Sequence, residues 1–246
     1  MKRYICSLLF VIIFFTFPYS KAQNKFESDL IKTLEGNIKI TFIKHASLLF
    51  DFNGIIVYAD PVSRYADFSK MPKADIILVT HHHGDHFDPK VIKELEKKNT
   101  RIIYTLTCAE TMKGGTKLKN GDYLIVDGIE IVAVPAYNLV HKRDNGKFYH
   151  PKGMGNGYVI RFGKEKIYIA GDTENVPEMK NLNNIDIAFL PMNLPYTMTP
   201  EMVTDAVKMF KPNILYPYHT GNTDISELTE LLKNETYCQI RIRKMQ

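Results

Sequence analysis

Cysteine is scarce in this sequence, and its placement excludes several chemistries. Three cysteines occur in 246 residues, Cys6, Cys108 and Cys238. No two share the short spacing of a thiolate zinc site or a redox pair. Neither Cys108 nor Cys238 lies in an electropositive, histidine-rich motif, which argues against a thiol nucleophile. One Cys108–Cys238 disulfide and two free thiols both fit the sequence. Long apolar runs are missing too: the stretch from Ile5 to Phe17 has about 13 residues, where a comfortable membrane span needs about 20. Positive charge is not spread along the chain. Residues 1–22 carry Lys2, Arg3 and Lys21 and no acid, so the formal net charge of +5 falls to +2 over the remainder. That is too little for a phosphate-binding face, and no nucleic-acid partner is expected.

What is present has the balance of a folded domain, with 45% hydrophobic and 24% charged residues. A chain of this length can bury a core without staples, so a metal site in it would serve function and not folding. Lys2 and Arg3, the apolar run after them and Ser20-Lys21-Ala22 have the form of a signal peptide over residues 1–22. The expectation is an exported protein, periplasmic or secreted, whose mature chain starts near Gln23 and has no stable membrane insertion. An uncleaved N-terminal anchor is the alternative. No low-complexity segment or compositional boundary divides residues 23–246, which read as a single domain.

Short β-like runs occupy 38–43, 47–52 and 55–59, with Asn53-Gly54 as a hairpin signal between the last two. Asp75 to Thr80 is a continuous apolar run of the kind covered on both faces. Asp88-Pro89 opens a helix whose Val91, Ile92 and Leu95 share a face. Strand character returns at 101–105, a weaker helix is expected at 107–113, and strands follow at 122–126 and 129–134. The second half repeats the style. Strands are expected at 157–162, 166–170, 185–190, 213–218 and 237–242, with helices opening at Thr199-Pro200-Glu201 and spanning 224–233. Meanders followed by strand–helix alternation in both halves suggest a duplicated α/β layer architecture.

Residues 80–86 read Thr-His-His-His-Gly-Asp-His. Four of the eight histidines fall within six positions, where chance gives about 0.2. A purification tag would sit at a terminus, whereas this cluster follows a buried-looking strand. In extended chain His81 and His83 face one way and His82 the other. Gly84 permits a turn that brings Asp85 and His86 to the same cavity. Imidazole and carboxylate donors suit zinc or a similar first-row divalent ion, and four of them are too many for one tetrahedral ion with an open position. Two ions are therefore expected. Further ligand candidates follow other strands, Asp172 in Gly171-Asp172-Thr173 and His219 after 213–218, where α/β sheets build their sites.

The run His81-His82-His83-Gly84-Asp85-His86 resembles the HxHxDH signature of the metallo-β-lactamase superfamily. Asp172 within AGDT and His219 within YPYHTG resemble its later metal-binding positions, and the likeness extends from IKHASLLFD at 43–51 and YADP at 58–61 to the C-terminal histidine segment. The resemblance implies a four-layer αββα sandwich with a dinuclear site at the edge of two sheets. By position His81, His83 and a third histidine would hold one ion, Asp85, His86 and His219 the other, and Asp172 would bridge them. His150 is preferred as the third histidine, with His141 as the alternative. Asp60 resembles an aspartate that supports the histidine loop without touching metal. His45 lines the cavity or simply packs, and Tyr137, Asn138 and Tyr196 lie on loops that face it.

Two divalent ions about 3.5–4 Å apart yield hydroxide from a bridging water near neutral pH and polarise the scissile oxygen. The ions implied are zinc, with Mn2+ or Fe2+ as alternatives, and Asp85 is the expected catalytic residue, orienting the nucleophile and carrying its proton. The HAS…ADP pattern is most similar to lactonase-like and phospholipase-D-like members. A small-molecule lactone, ester or phosphodiester is thus ranked above a β-lactam or a nucleic acid. A metal-binding protein of the same fold without turnover is the contrasting reading. Nothing in the sequence specifies an oligomeric state.

Overall fold

The computed structural model describes residues 26–245. The expected signal peptide at 1–22 and Cys6 lie outside the described residues. Fourteen strands among the described residues form two seven-stranded sheets, one from each half of the chain. The first contains β1 (Glu27–Ile31), β2 (Ile38–Lys44), β3 (Ser47–Phe52), β4 (Ile55–Ala59), β5 (Ile76–Leu78), β6 (Arg101–Tyr104) and β7 (Thr116–Lys117), in that spatial order. The second contains β8 (Tyr123–Val126), β9 (Ile129–Ala136), β10 (Gly155–Phe162), β11 (Glu165–Ile169), β12 (Ile187–Pro191), β13 (Ile214–Tyr218) and β14 (Gln239–Ile240), again in sequence order. In each sheet the first four strands pair antiparallel and the last three add on in parallel. The duplication suggested by the sequence is therefore a duplication of topology.

Side-chain alternation builds the layers. In β2, Ile38, Ile40 and Phe42 point inward opposite Phe52, Phe50 and Leu48 of β3. Between the sheets Phe50 meets Phe162 at 5.7 Å and Phe42 meets Tyr216 at 5.0 Å between ring centroids. Each fully buried side chain of this kind contributes about 1.5–3 kcal/mol. The apolar run in β5 divides as its pattern requires, with Ile76 and Leu78 in the inner core and Ile77 and Val79 in the outer one. Helix α1 (Pro89–Leu95) covers that outer face with Val91, Ile92 and Leu95. Asp88 caps it, accepting from the Lys90 and Val91 amides, with Pro89 in the first helical position. On the opposite side α2 (Pro200–Phe210) and α3 (Ile225–Leu231) cover the second sheet through Val203, Ala206, Val207, Phe210 and Leu228. The result is the four-layer αββα sandwich. No helix among the described residues is long and apolar enough to cross a membrane.

The hairpin at Asn53-Gly54 forms as expected, with φ of 53° and 84°. Several boundaries differ. The meander has an additional edge strand, β1, whose Glu-Ser-Asp-Leu-Ile lacks alternation, and β7 is a second edge strand. The helix expected at 107–113 is a 3-10 turn at Leu106–Glu110, because the segment has no apolar face at helical spacing. Strand 237–242 shrinks to Gln239–Ile240, and strand 75–80 to Ile76–Leu78. Cys108 and Cys238 are free thiols. They sit under opposite outer layers of the sandwich, so the disulfide alternative is closed off.

After β14 the chain returns to the first sheet, where Arg243 holds Asp29 through both carboxylate oxygens, at 2.9 and 2.7 Å, and Tyr216 donates to the same carboxylate. Burial alone would raise the Asp29 carboxyl, but the bonds from Arg243 and Tyr216 outweigh it and hold it below the usual range. A carboxyl lowered in the folded state stabilises above its unfolded value of about 3.9 and loses that contribution as pH falls through the folded value. Asp29→Asn should cost about 1 kcal/mol at pH 7 after allowance for solvent screening. In urea titrations that difference should vanish below the folded pKa of Asp29; a gap unchanged at low pH would contradict the clamp.

Candidate metal centre

The candidate ligands meet where strands of both sheets end on one edge. Thr80 and His81 follow β5, Asp172 follows β11, His219 follows β13, and Asn138 follows β9. Bonds between the sheets fix this edge. The Asn156 amide donates to the Thr80 carbonyl at 2.8 Å, Tyr158 Oη to the Val79 carbonyl at 2.9 Å, and the His219 amide to the His45 carbonyl at 3.1 Å. At Gly171 φ is +66°, and a Cβ there would lie 2.8 Å from the Asn156 carbonyl oxygen, so glycine alone lets Asp172 approach.

Outer partners set which ring nitrogens face inward. Asp60 is fully buried and accepts from the Thr80 amide at 2.8 Å, from Thr80 Oγ1 at 2.6 Å and from His86 Nδ1 at 2.7 Å. The proton of His86 is thereby on Nδ1, and Nε2 presents a lone pair. Thr80 Oγ1, having donated to Asp60, accepts from His81 Nδ1 at 3.0 Å, which turns the His81 Nε2 lone pair inward as well. Asn138 Nδ2 donates to Glu174 Oε1 and to the Tyr196 carbonyl, both at 2.9 Å, so its Oδ1 is the acceptor for His150 Nδ1 at 2.8 Å. His86, His81 and His150 thus turn lone pairs toward the Asp172 carboxylate. A carboxylate–histidine or amide–histidine pair of this kind orients a metal-ligating imidazole.

The two oxygens of Asp172 divide the cluster. Oδ1 lies 3.4 Å from His86 Nε2 and 3.5 Å from His219 Nε2. Oδ2 lies 3.2 Å from His150 Nε2 and 3.8 Å from His81 Nε2. On one side His81, His83 and His150 bring their ligand atoms within 4.8 Å of one another; on the other, Asp85, His86, His219 and His45 do the same. His81 Nε2 and His83 Nδ1 are 3.1 Å apart, where two lone pairs need a proton or a cation between them. His86 Nε2, Asp172 Oδ1 and both nitrogens of His219 are buried with no hydrogen-bond partner. One His219 nitrogen carries the ring proton; the remaining orphaned acceptors, converging in this way, fit a cation.

The electrostatics agree. Burial holds His81 well below the ordinary histidine range and His83 at about 4, so both offer neutral rings. Burial opposes charge on His86, but Asp172 and Asp60 outweigh it and raise its affinity for a positive charge. Burial would raise Asp172 and Asp85 as well. The histidines beside them reverse this and keep both ionised, His219 and His86 at Asp172, His219 and His45 at Asp85.

All seven residues singled out in the sequence, His81, His83, Asp85, His86, His150, Asp172 and His219, come together here. His82 points to solvent and joins none of these groups. Of the two third-histidine alternatives, His150 faces Asp172, while His141 Nδ1 lies 2.8 Å from Glu174 Oε1, outside the cluster. His45 packs against His219 with ring centroids 3.7 Å apart, and its Nε2 lies 3.2 Å from Asp85 Oδ2. Tyr137 binds Glu178 through its hydroxyl and packs, whereas Tyr196 lines the cavity. That cavity, about 280 Å³, is lined by His83, Asp85, His150, Asp172 and His219 among others.

Sequence reasoning missed Glu174. It is fully buried and accepts from Asn138 Nδ2 and from the amides of Leu139, Val140 and His141, each at 2.7 Å, which hold it below the usual carboxyl range despite burial. Its position directly after Gly171-Asp172-Thr173 is the only signal in the sequence. Through Asn138 it positions His150. Glu174→Gln should weaken zinc binding on the His150 side by about 10–100-fold. Competition with a chromophoric chelator would measure this, and unchanged affinity would show that the loop needs no carboxylate.

The chain is similar to several known proteins. The family profile described as "Beta-lactamase superfamily domain" matches residues 39–219. A metal-dependent hydrolase from Pelotomaculum thermopropionicum is 30% identical over 223 residues, covering 83% of this chain and 96% of its own. A candidate metal-dependent hydrolase from Parabacteroides distasonis, known as a crystal structure, is 49% identical with a TM-score of 0.86, covering 90% of this chain and 100% of that one. Igni18, a metallo hydrolase from Ignicoccus hospitalis, shares the fold at a TM-score of 0.70 with 21% identity, over 85% of this chain and 95% of that one.

Proposed function

The chain belongs to the metallo-β-lactamase superfamily, and we propose that it is a metal-dependent hydrolase that cleaves a small-molecule lactone, ester or phosphodiester at a pair of divalent ions, zinc foremost. The observation that carries this reading is the division of Asp172, one oxygen toward His86 and His219 and the other toward His81 and His150. His81, His83 and His150 would hold one ion, Asp85, His86 and His219 the other, with Asp172 shared. Two such ions, when bound, supply a water-derived nucleophile near neutral pH and draw charge from the scissile oxygen.

The remaining work belongs to the chain. Asp85 is only half-buried and its Oδ2 faces both His45 and His219, so it can orient the attacking water and take its proton. His45 steadies that carboxylate. Asp60, Thr80 and Asn138 keep the histidine lone pairs turned inward before substrate arrives, which removes reorganisation from the reaction. Burial raises the Cys108 thiol and pushes that of Cys238 up to about 11, so neither competes as nucleophile.

A panel of a lactone, an aryl ester, bis(4-nitrophenyl) phosphate and a β-lactam tests this. Turnover of at least one of the first three, abolished by chelator and restored by zinc, is expected. Bound metal without turnover across the panel would favour a metal-binding protein of the same fold. Export through residues 1–22 is part of the same reading, and N-terminal sequencing of the mature protein should begin near Gln23.

A further inference from the structure

Arg143 lines the cavity beside the candidate ligands, together with Tyr149 and Tyr196. Among the described residues it forms no ion pair, a property it shares with Arg64 and Arg101, whereas Arg161, Arg241 and Arg243 each face a carboxylate; of the unpaired three, Arg143 is the one that lines this cavity. Its guanidinium lies over the Tyr149 ring, 4.9 Å from the centroid, and Tyr149 is braced edge-on by Tyr196 at 5.0 Å. The backbone beneath it is a tight hairpin. The Arg143 amide donates to the Lys147 carbonyl and the Gly146 amide to the Arg143 carbonyl, both at 2.8 Å, and Lys142 pairs with Phe148. A guanidinium stacked on an aromatic face keeps its in-plane donors free for a planar or tetrahedral anion.

We propose that Arg143 is the anion-recognition residue of this cavity, and that the substrate is a small molecule carrying a carboxylate or phosphate set apart from the bond that is cleaved. The inference rests on the hydrolase reading above and deepens it. Two divalent ions against Asp85 and Asp172 would leave the site positive, which favours an anionic partner, and a cavity of about 280 Å³ is of the size that holds a small one. One end of such a substrate meets the ligand cluster and the other meets the fork of Arg143.

Calorimetric titration of the zinc-loaded full chain tests this without turnover. Glutarate and 3-phosphonopropionate each carry a second anion that butyrate lacks. Both should bind about tenfold or more tighter than butyrate. Arg143→Ala should remove most of that preference while leaving butyrate affinity within about twofold, and Arg143→Lys should retain part of it. Lys147→Ala, which removes a charge from the same hairpin outside the cavity, should keep the preference. The proposal is overturned if neither dianion binds tighter than butyrate, or if Arg143→Ala keeps the preference. A preference for dianions with no hydrolysis across the substrate panel would sink the hydrolase reading alone. Hydrolysis without the preference would sink the anion site alone.

Discussion

Asp172→Asn should reduce bound zinc from two ions per chain to one or none and lower kcat/KM by about 10³-fold or more. Both oxygens of Asp172 face imidazole nitrogens, Oδ1 toward His86 and His219, Oδ2 toward His150 and His81. An amide puts a donor in place of one oxygen. Whichever way it turns, one half of the cluster loses an anionic acceptor and gains an N–H aimed at a lone pair. The variant keeps the volume and the turn at Gly171, so the metal-free fold should melt within a few degrees of the wild type. Zinc in about 100-fold excess over its Kd should stabilise the wild type by about 2.7 kcal/mol and the variant by much less. Equal zinc stabilisation of both would place the shared ligand elsewhere.

Asp60→Asn should have the second largest effect, and on stability first. Asp60 touches no substrate; it accepts from the Thr80 amide, Thr80 Oγ1 and His86 Nδ1 in a site closed to water. Its φ of 44° is one that asparagine adopts as readily as aspartate, so the backbone is not the cause of any loss. The amide nitrogen must face either the Thr80 backbone N–H, in place of Oδ1, or the Thr80 hydroxyl and His86 Nδ1–H, in place of Oδ2, leaving buried donors opposed. Breaking a buried charged network of this kind costs about 3 kcal/mol. For a domain of this size that is a fall in Tm of about 6–12 °C. His86 then loses the partner that fixes its tautomer, and zinc affinity should drop about 10–100-fold. A variant that melts early yet binds zinc as tightly as the wild type would make Asp60 a purely structural residue.

Local pattern made most of the sandwich legible. The runs at 47–52 and 55–59 became β3 and β4 without change, and Asp88-Pro89 and Thr199-Pro200 became helix starts because capping is decided within four residues. Strands β1 and β7 were not legible. They are short, exposed edges whose pairing depends on a neighbour and not on their own alternation. The histidine loop could be read because four of its donors are adjacent in sequence. Asn138 acts on His150 across 12 residues, and Glu174 acts on Asn138 across 36, so only the folded edge brings them together. The same is true of His45, 40 residues before Asp85. Arg143 sits in a segment whose Asn145-Gly146 announces a turn, but its place over the Tyr149 ring and beside the ligand cluster exists only in the folded chain.

The account depends on two ions held by this donor set, and their number can be counted directly. After zinc loading and gel filtration, mass-spectrometric metal analysis of the wild type should give about two ions per chain, and His150→Ala and His219→Ala should each give about one. A wild-type chain that leaves the column with no zinc would contradict the account.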